Sequence, residues 1–207
     1  MRKLFGFILC FLFVNNLSSQ NFDIDILSNI QSSRSERLNP AFKTISNSVY
    51  PVVVAVPITY FSAGLIMKNK KYTQYGVQST TSIISDLVLT TVLKYSIQRK
   101  RPYEKYPFIF PLQKENTPSF PSGHTSRAFN TATFLSLNFP KWYVIVPAYV
   151  YASVVAYSRL YLGVHYPSDI IGGMIVGSAT AYLNFKFHQW YFKKKESKYS
   201  KSDEYHY

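Results

Sequence analysis

The chain has 207 residues, enough for one domain with a full core, and carries 23 Lys and Arg against 10 Asp and Glu, a net charge of +13. Its only cysteine is Cys10, which excludes a disulfide framework. Aromatics make up 17%, and much of the positive charge sits at the ends of apolar segments rather than along one face. That pattern suits a membrane surface and anionic substrates, and it argues against nucleic acid as a partner.

Residues 1–19 read as a secretory signal. Arg2 and Lys3 precede an apolar core at residues 4–14, which is short for a membrane span, and residues 15–19 are small and polar. The alternative is a retained N-terminal anchor. Residues 20–47 are mixed and polar. Ile24, Ile26, Leu27 and Ile30 give them the apolar stripe of a short amphipathic helix, on the membrane interface or against the domain. No chemistry is assigned there.

Residues 48–192 form the main domain, for which the sequence predicts an all-α bundle of about five helices. Residues 48–67 carry no charge and are long enough to span a bilayer, with a kink expected from Pro51 and Pro57. The run KNKK follows at residues 68–71. Residues 72–97 are the second apolar stretch, interrupted by Asp86. Residues 99–120 read as a loop with four prolines, suited to a lid or to substrate access.

The third helix is expected over residues 122–139 and the fourth over residues 142–157, joined by a tight turn at Pro140 and Lys141. The fifth, over residues 168–185, carries Gly173 and Gly177, a spacing that permits close helix contact. Residues 193–207 read as a basic polar tail, poorly ordered beyond Lys193–Lys195. His188 and His206 read as surface residues.

Three stretches carry chemistry. The first is SRLYLGVHYPSD at residues 158–169. Arg159 can grip an oxyanion with its planar fork of donors. His165 can act as a nucleophile or a base near neutral pH. Asp169 can fix the tautomer of that imidazole and stabilise the cation formed when it reacts.

The second stretch is Pro121-Ser122-Gly123-His124, at the start of a predicted helix. Ser122 is a good N-cap, Gly123 lets backbone approach a ligand, and first-turn N–H groups suit phosphate. The third is Lys94 with Arg101-Pro102. The two cations are seven residues apart, about 10 Å on a helix, and Pro102 pushes Arg101 out of helical geometry. Arg99 and Lys100 read as no more than a basic flank.

Taken together, K-x6-RP, PSGH and SR-x5-H-x3-D resemble the three-part signature of the type 2 phosphatidic acid phosphatase superfamily. Its members include lipid phosphatases, class A acid phosphatases and vanadium haloperoxidases. The match falls on Lys94, Arg101 and Pro102, on Pro121 to His124, and on Ser158, Arg159, His165 and Asp169, with no position departing.

The resemblance implies a metal-independent phosphatase without cofactors. Its substrate would be a lipid phosphate or pyrophosphate of the undecaprenyl pyrophosphate, phosphatidate or lipid A type. His165 would attack phosphorus and form a phosphohistidine, with Asp169 holding the other ring nitrogen. His124 would protonate the leaving oxygen and then help activate water. Lys94, Arg101 and Arg159, with Ser122 and the Gly123 N–H, would cradle the phosphate.

Positive charge then places the site. With an exported N-terminus, KNKK and the Lys193 cluster fall inside, and all three motifs share the periplasmic face of the inner membrane. A mean hydropathy of −0.06 keeps open a soluble periplasmic acid phosphatase of broad specificity. A vanadium-dependent haloperoxidase is a weaker alternative, as is a non-catalytic phosphate-binding membrane protein, which would need the cations but not the two histidines and the acid.

Overall fold

The structure is a computed structural model and describes residues 16–204. The apolar core of the expected signal peptide, residues 4–14, and His206 lie outside the described residues. Helix α1 (Asn16–Ser32) leads through a 3-10 turn (Glu36–Leu38) into α2 (Asn39–Asn47) and α3 (Val49–Ile66). Then come α4 (Lys70–Ile97), the single turn α5 (Pro102–Lys105), α6 (Gly123–Asn138), α7 (Trp142–Tyr161) and α8 (Pro167–Glu204). The described residues contain no strand.

The breaks are local. Asn69 caps α4, its Oδ1 accepting from the Lys71 N–H at 3.0 Å. The same helix stops at Gln98, which takes φ of 50° while its N–H closes on the Lys94 carbonyl at 2.9 Å. Pro51 falls in the first turn of α3, where its missing N–H costs nothing, and Pro57 lies inside the helix.

Two helices run further than the sequence suggested. No breaker follows residue 157 until Gly163, so α7 continues to Tyr161 and Arg159 sits on its last turn. Residues 186–204 contain neither Gly nor Pro, and α8 continues helical to Glu204 rather than ending near residue 185.

Helix α6 is the centre, packed between α4, α7 and α8. The contact with α8 is backbone to backbone. A Cβ on Gly177 would fall on the Ser126 carbonyl, and one on Gly173 would lie 2.7 Å from the Ser122 carbonyl. Polar side chains tie the same seam. Asn130 accepts from Ser82 at 3.1 Å and donates to Thr180 at 3.0 Å, and Ser126 donates to the buried Asp86. In an apolar interior such groups hold helices in register only when paired. His188, expected at the surface, is buried between α8 and α4, 2.9 Å from the Thr81 hydroxyl.

The outer faces are apolar. Val54, Ile58, Val88, Val146, Val150 and Ile175 are all exposed. A belt of this kind has no place in water and fits lipid. The stretch Glu36–Ile66 and the helix Trp142–Tyr161 are long and apolar enough to cross a bilayer. Because the helices alternate in direction, the ends near residues 97, 123, 161 and 167 gather on one side. An aromatic cluster of Tyr60, Tyr72, Tyr75 and Phe139 closes the other.

The α6–α8 contact leaves no room for a side chain. Gly177→Val should lower the thermal midpoint of the detergent-purified protein, at a cost of about 1–3 kcal/mol. Thermal unfolding followed by helical circular dichroism checks this; an unchanged midpoint would show that the two helices can separate freely.

Candidate active site

His165 lies in the short link between α7 and α8. Gly163, with φ of +73°, turns the chain out of α7, and the Val164 N–H still reaches the Arg159 carbonyl at 3.3 Å. The imidazole is buried. Its Nδ1 is 3.3 Å from Asp169 Oδ2, one turn into α8, and its Nε2 is 3.4 Å from Arg101 Nη1. With a carboxylate at Nδ1 the ring hydrogen sits there, and Nε2 carries the lone pair. Burial, then the charges of Arg101, Arg159 and Lys94, pushes the ring well below its ordinary pKa, so it is neutral.

Asp169 is fixed on both oxygens. Oδ2 accepts the Ser119 hydroxyl at 2.5 Å and the Tyr166 N–H at 2.9 Å. Oδ1 accepts Arg99 Nη1 at 2.6 Å. Arg99 also donates to Ser168 Oγ at 2.6 Å and to Asp23 Oδ2 at 2.8 Å, and its plane lies 4.0 Å from the centre of the Tyr166 ring. Asp23, on α1, in turn accepts the Ser168 N–H at 2.9 Å.

Sequence reasoning missed Arg99, Asp23 and Ser119. Asp23 left one trace. It stands four residues before the buried Leu27, so an acid occupies the inward face of an amphipathic helix.

The three expected cations converge on the same end. Lys94 and Arg101 do not lie two turns apart on one helix, because α4 ends between them. Both are instead wrapped by residues 117–119. Lys94 Nζ donates to the Pro118 carbonyl at 2.5 Å, and Arg101 donates to the Thr117 carbonyl at 2.7 Å and the Val164 carbonyl at 2.8 Å. Arg159, fully buried, donates to Ser46 Oγ at 2.5 Å and pairs with Glu115, while its Nε has no partner among the described residues.

The stretch expected as a loop, residues 99–120, thus forms one wall of the site, with α5 inside it. Arg34 anchors its outer part, donating to the Phe110 carbonyl at 2.7 Å.

Ser122 is the N-cap of α6, but its hydroxyl accepts from Thr125 at 3.0 Å instead of capping the helix. Its N–H donates to the Asp169 carbonyl at 3.0 Å, which joins the starts of α6 and α8. Gly123 opens the helix, and His124 follows in its first turn. The His124 ring is buried, meets Tyr50 edge-on at 5.0 Å, and has no partner at Nε2 among the described residues. It lies within Coulombic reach of Arg159, His165 and Arg101.

The cluster therefore presents a neutral imidazole lone pair on His165 and an imidazole nitrogen on His124 that has no partner among the described residues, with the charges of Arg101 and Arg159 acting on both rings. That is the equipment for moving a phosphoryl group from an oxygen to a nitrogen and on to water.

The chain is similar to known proteins over most of its length. The PAP2 superfamily pattern matches residues 75–193. Undecaprenyl-diphosphatase of Sulfolobus acidocaldarius is 29% identical over 89% of this chain and 91% of its own length. Phosphatidylglycerophosphatase B of Bacillus subtilis is 33% identical over 67% of this chain and 66% of its own. The crystal structure of a transmembrane PAP2-type phosphatidylglycerolphosphate phosphatase from Bacillus subtilis has a TM-score of 0.71. It is 29% identical and covers 90% of this chain and 94% of its own.

The state of His165 can be read directly. A ring whose pKa is depressed stays neutral as pH falls through 6.5, the ordinary value, and protonates only in more acid solution. The unfolded chain binds that proton near 6.5, so the native state loses stability as pH falls below it. In nitrogen-labelled protein the His165 ring resonances should not titrate near 6.5; an ordinary midpoint there would overturn the neutral assignment.

Proposed function

The chain belongs to the PAP2 superfamily, and we propose that it removes phosphate from a phosphorylated lipid in the membrane, the kind of reaction its relatives are named for, and that it does so through a phosphohistidine. The observation that carries this reading is convergence. Lys94, Arg101, His124, Arg159, His165 and Asp169 come from three distant stretches and meet at one end of the bundle, around two buried imidazoles of which His165 has a carboxylate partner and His124 Nε2 has no partner among the described residues.

Phosphate would enter with its peripheral oxygens toward Arg101, Arg159 and Lys94, and toward the first-turn N–H groups of α6. His165 Nε2 attacks phosphorus while Asp169 holds Nδ1–H and stabilises the cation that develops. The P–O bond to the leaving group breaks, and its electron pair goes to the oxygen. His124 gives that oxygen a proton. The same ring then takes a proton from water as water attacks phosphorus, the P–N bond breaks, and neutral His165 returns with free phosphate. Burial and the neighbouring cations hold His124 well below its ordinary pKa in the free protein, and the negative charge of the bound phosphate opposes that shift to favour the protonated ring that the first step needs.

Substrate binding has a competitor in the protein. The Glu115 carboxylate occupies Arg159, so phosphate must displace it or share the guanidinium. Orientation follows from charge. Lys68, Lys70, Lys71 and Lys141 lie at the ends away from the site, which suits an inner-membrane enzyme with its site facing the periplasm.

The test is phosphate release from lipid phosphates in detergent with a chelator present. Turnover should survive the chelator, and His165→Ala should lower it by about 10³-fold or more. An unimpaired His165→Ala enzyme would remove the nucleophile assignment.

The clamp behind Asp169 has its own signature. Asp23→Asn should lower kcat about tenfold with KM unchanged, because the lost contact orients the acid and does not touch substrate. Steady-state kinetics on the same lipid check this; a rise in KM alone would place Asp23 in binding instead.

A further inference from the structure

From Gly123 to Phe134 every residue of α6 is buried except Arg127. Its guanidinium lies 5.6 Å from the centre of the Tyr50 ring, the same ring that meets His124 at 5.0 Å. Arg127 Nη1 is 3.0 Å from where a Cβ on Gly123 would stand, and Thr90 Cγ2 borders that point at 3.8 Å. Glycine at 123 thus leaves room for a guanidinium against the first turn of the helix. Arg127 also lies within Coulombic reach of Lys94 on α4.

Among the described residues no ion pair reaches Arg127. Asp86 is the acid within Coulombic reach, but it accepts from Ser126 and forms no ion pair with Arg127. A guanidinium on a membrane helix without an anion is costly to keep. The other arginines of the site show the contrast. Arg99 and Arg159 pair with carboxylates, and Arg101 is held by carbonyls. Arg127 shares the Tyr50 ring with His124, whose buried Nε2 has no partner among the described residues.

We infer that Arg127 binds a second phosphate, carried by the leaving group, so that the substrate is a lipid diphosphate. This rests on the phosphatase reading above, which assigns His124 to the leaving-group side. His165 Nε2 bonds to the terminal phosphorus, and the bridging P–O bond breaks. Its electron pair stays on the bridging oxygen, now part of a lipid monophosphate. That charge develops in the transition state and is met by the Arg127 fork and the His124 proton. Water then cleaves the P–N bond and releases orthophosphate. A simple phosphomonoester leaves an alcohol, which offers Arg127 nothing to hold.

The experiment compares the full-length protein with Arg127→Gln in detergent, on farnesyl diphosphate and on dioleoyl phosphatidate. The substitution should lower kcat/KM for the diphosphate roughly 10- to 100-fold more than for phosphatidate. Calorimetric binding should move the same way, with inorganic diphosphate losing affinity relative to orthophosphate.

Equal losses on both lipids, with equal losses for both inorganic anions, would overturn the proposal and leave Arg127 a support of the shared site. No loss on either would overturn it as well. If the unaltered protein hydrolyses neither lipid, the phosphatase reading fails, and the two inorganic anions alone decide whether Arg127 holds a second phosphate. Matching thermal midpoints for the two proteins exclude misfolding as the cause.

Discussion

The structure is organised around like charges held together out of water. Lys94, Arg101 and Arg159 are buried at one end of the bundle, close enough to act on one another and on His165. Such a cluster repels itself, and removing it from water costs more. Three kinds of compensation are visible: carbonyls of residues 117–118, the Val164 carbonyl, and the Glu115 carboxylate. None cancels the charge fully, and Arg159 Nε and His124 Nε2 have no partner among the described residues. An imbalance of this kind is one that a phosphate dianion would offset, and on the proposed function affinity and catalysis would both draw on it.

Holding that cluster requires rigid scaffolding close behind it. The backbone contact between α6 and α8 sets the distance between the helix starts that carry His124 and Asp169. The Ser122 N–H to Asp169 carbonyl bond locks the same two starts. Below them, Asp86, Ser126, Ser82, Asn130 and Thr180 form a polar seam through an otherwise apolar bundle. The glycines let the helices approach, and the hydrogen bonds stop them from sliding.

Much of this was legible in the chain. Uncharged runs bounded by Lys, Pro and Asn located the long helices, and the residues able to bind and attack phosphate stood out by type and spacing. Helix ends were less legible where no breaker marks them, as at Tyr161 and in the residues after 185. The Asp169 partner of His165, four residues away, was legible, but the distant partners were not. Arg99 meets Asp23 across 76 residues, and Arg159 meets Glu115 across 44. Pairing at that range is decided by tertiary packing; Glu115 does not stand out from ordinary surface charge, and the one trace of Asp23, its place on the stripe of Leu27, does not name its partner. His188 was misread for the same reason, since a polar residue on a lipid-facing tail gives no local sign that Thr81 awaits it.

The contact between Asp23 and Ser168 joins residues 145 positions apart, from the first described helix to the start of the last. During synthesis Asp23 emerges early, while Ser168 and Asp169 emerge only when most of the bundle already exists. Until α8 is inserted, the growing polypeptide has its cations but no acid to orient the imidazole. The pairing of His165 with Asp169, and the clamp from Asp23 behind it, are therefore properties of the finished chain, and a nascent fragment ending before residue 167 carries the cations of this cluster without the acid.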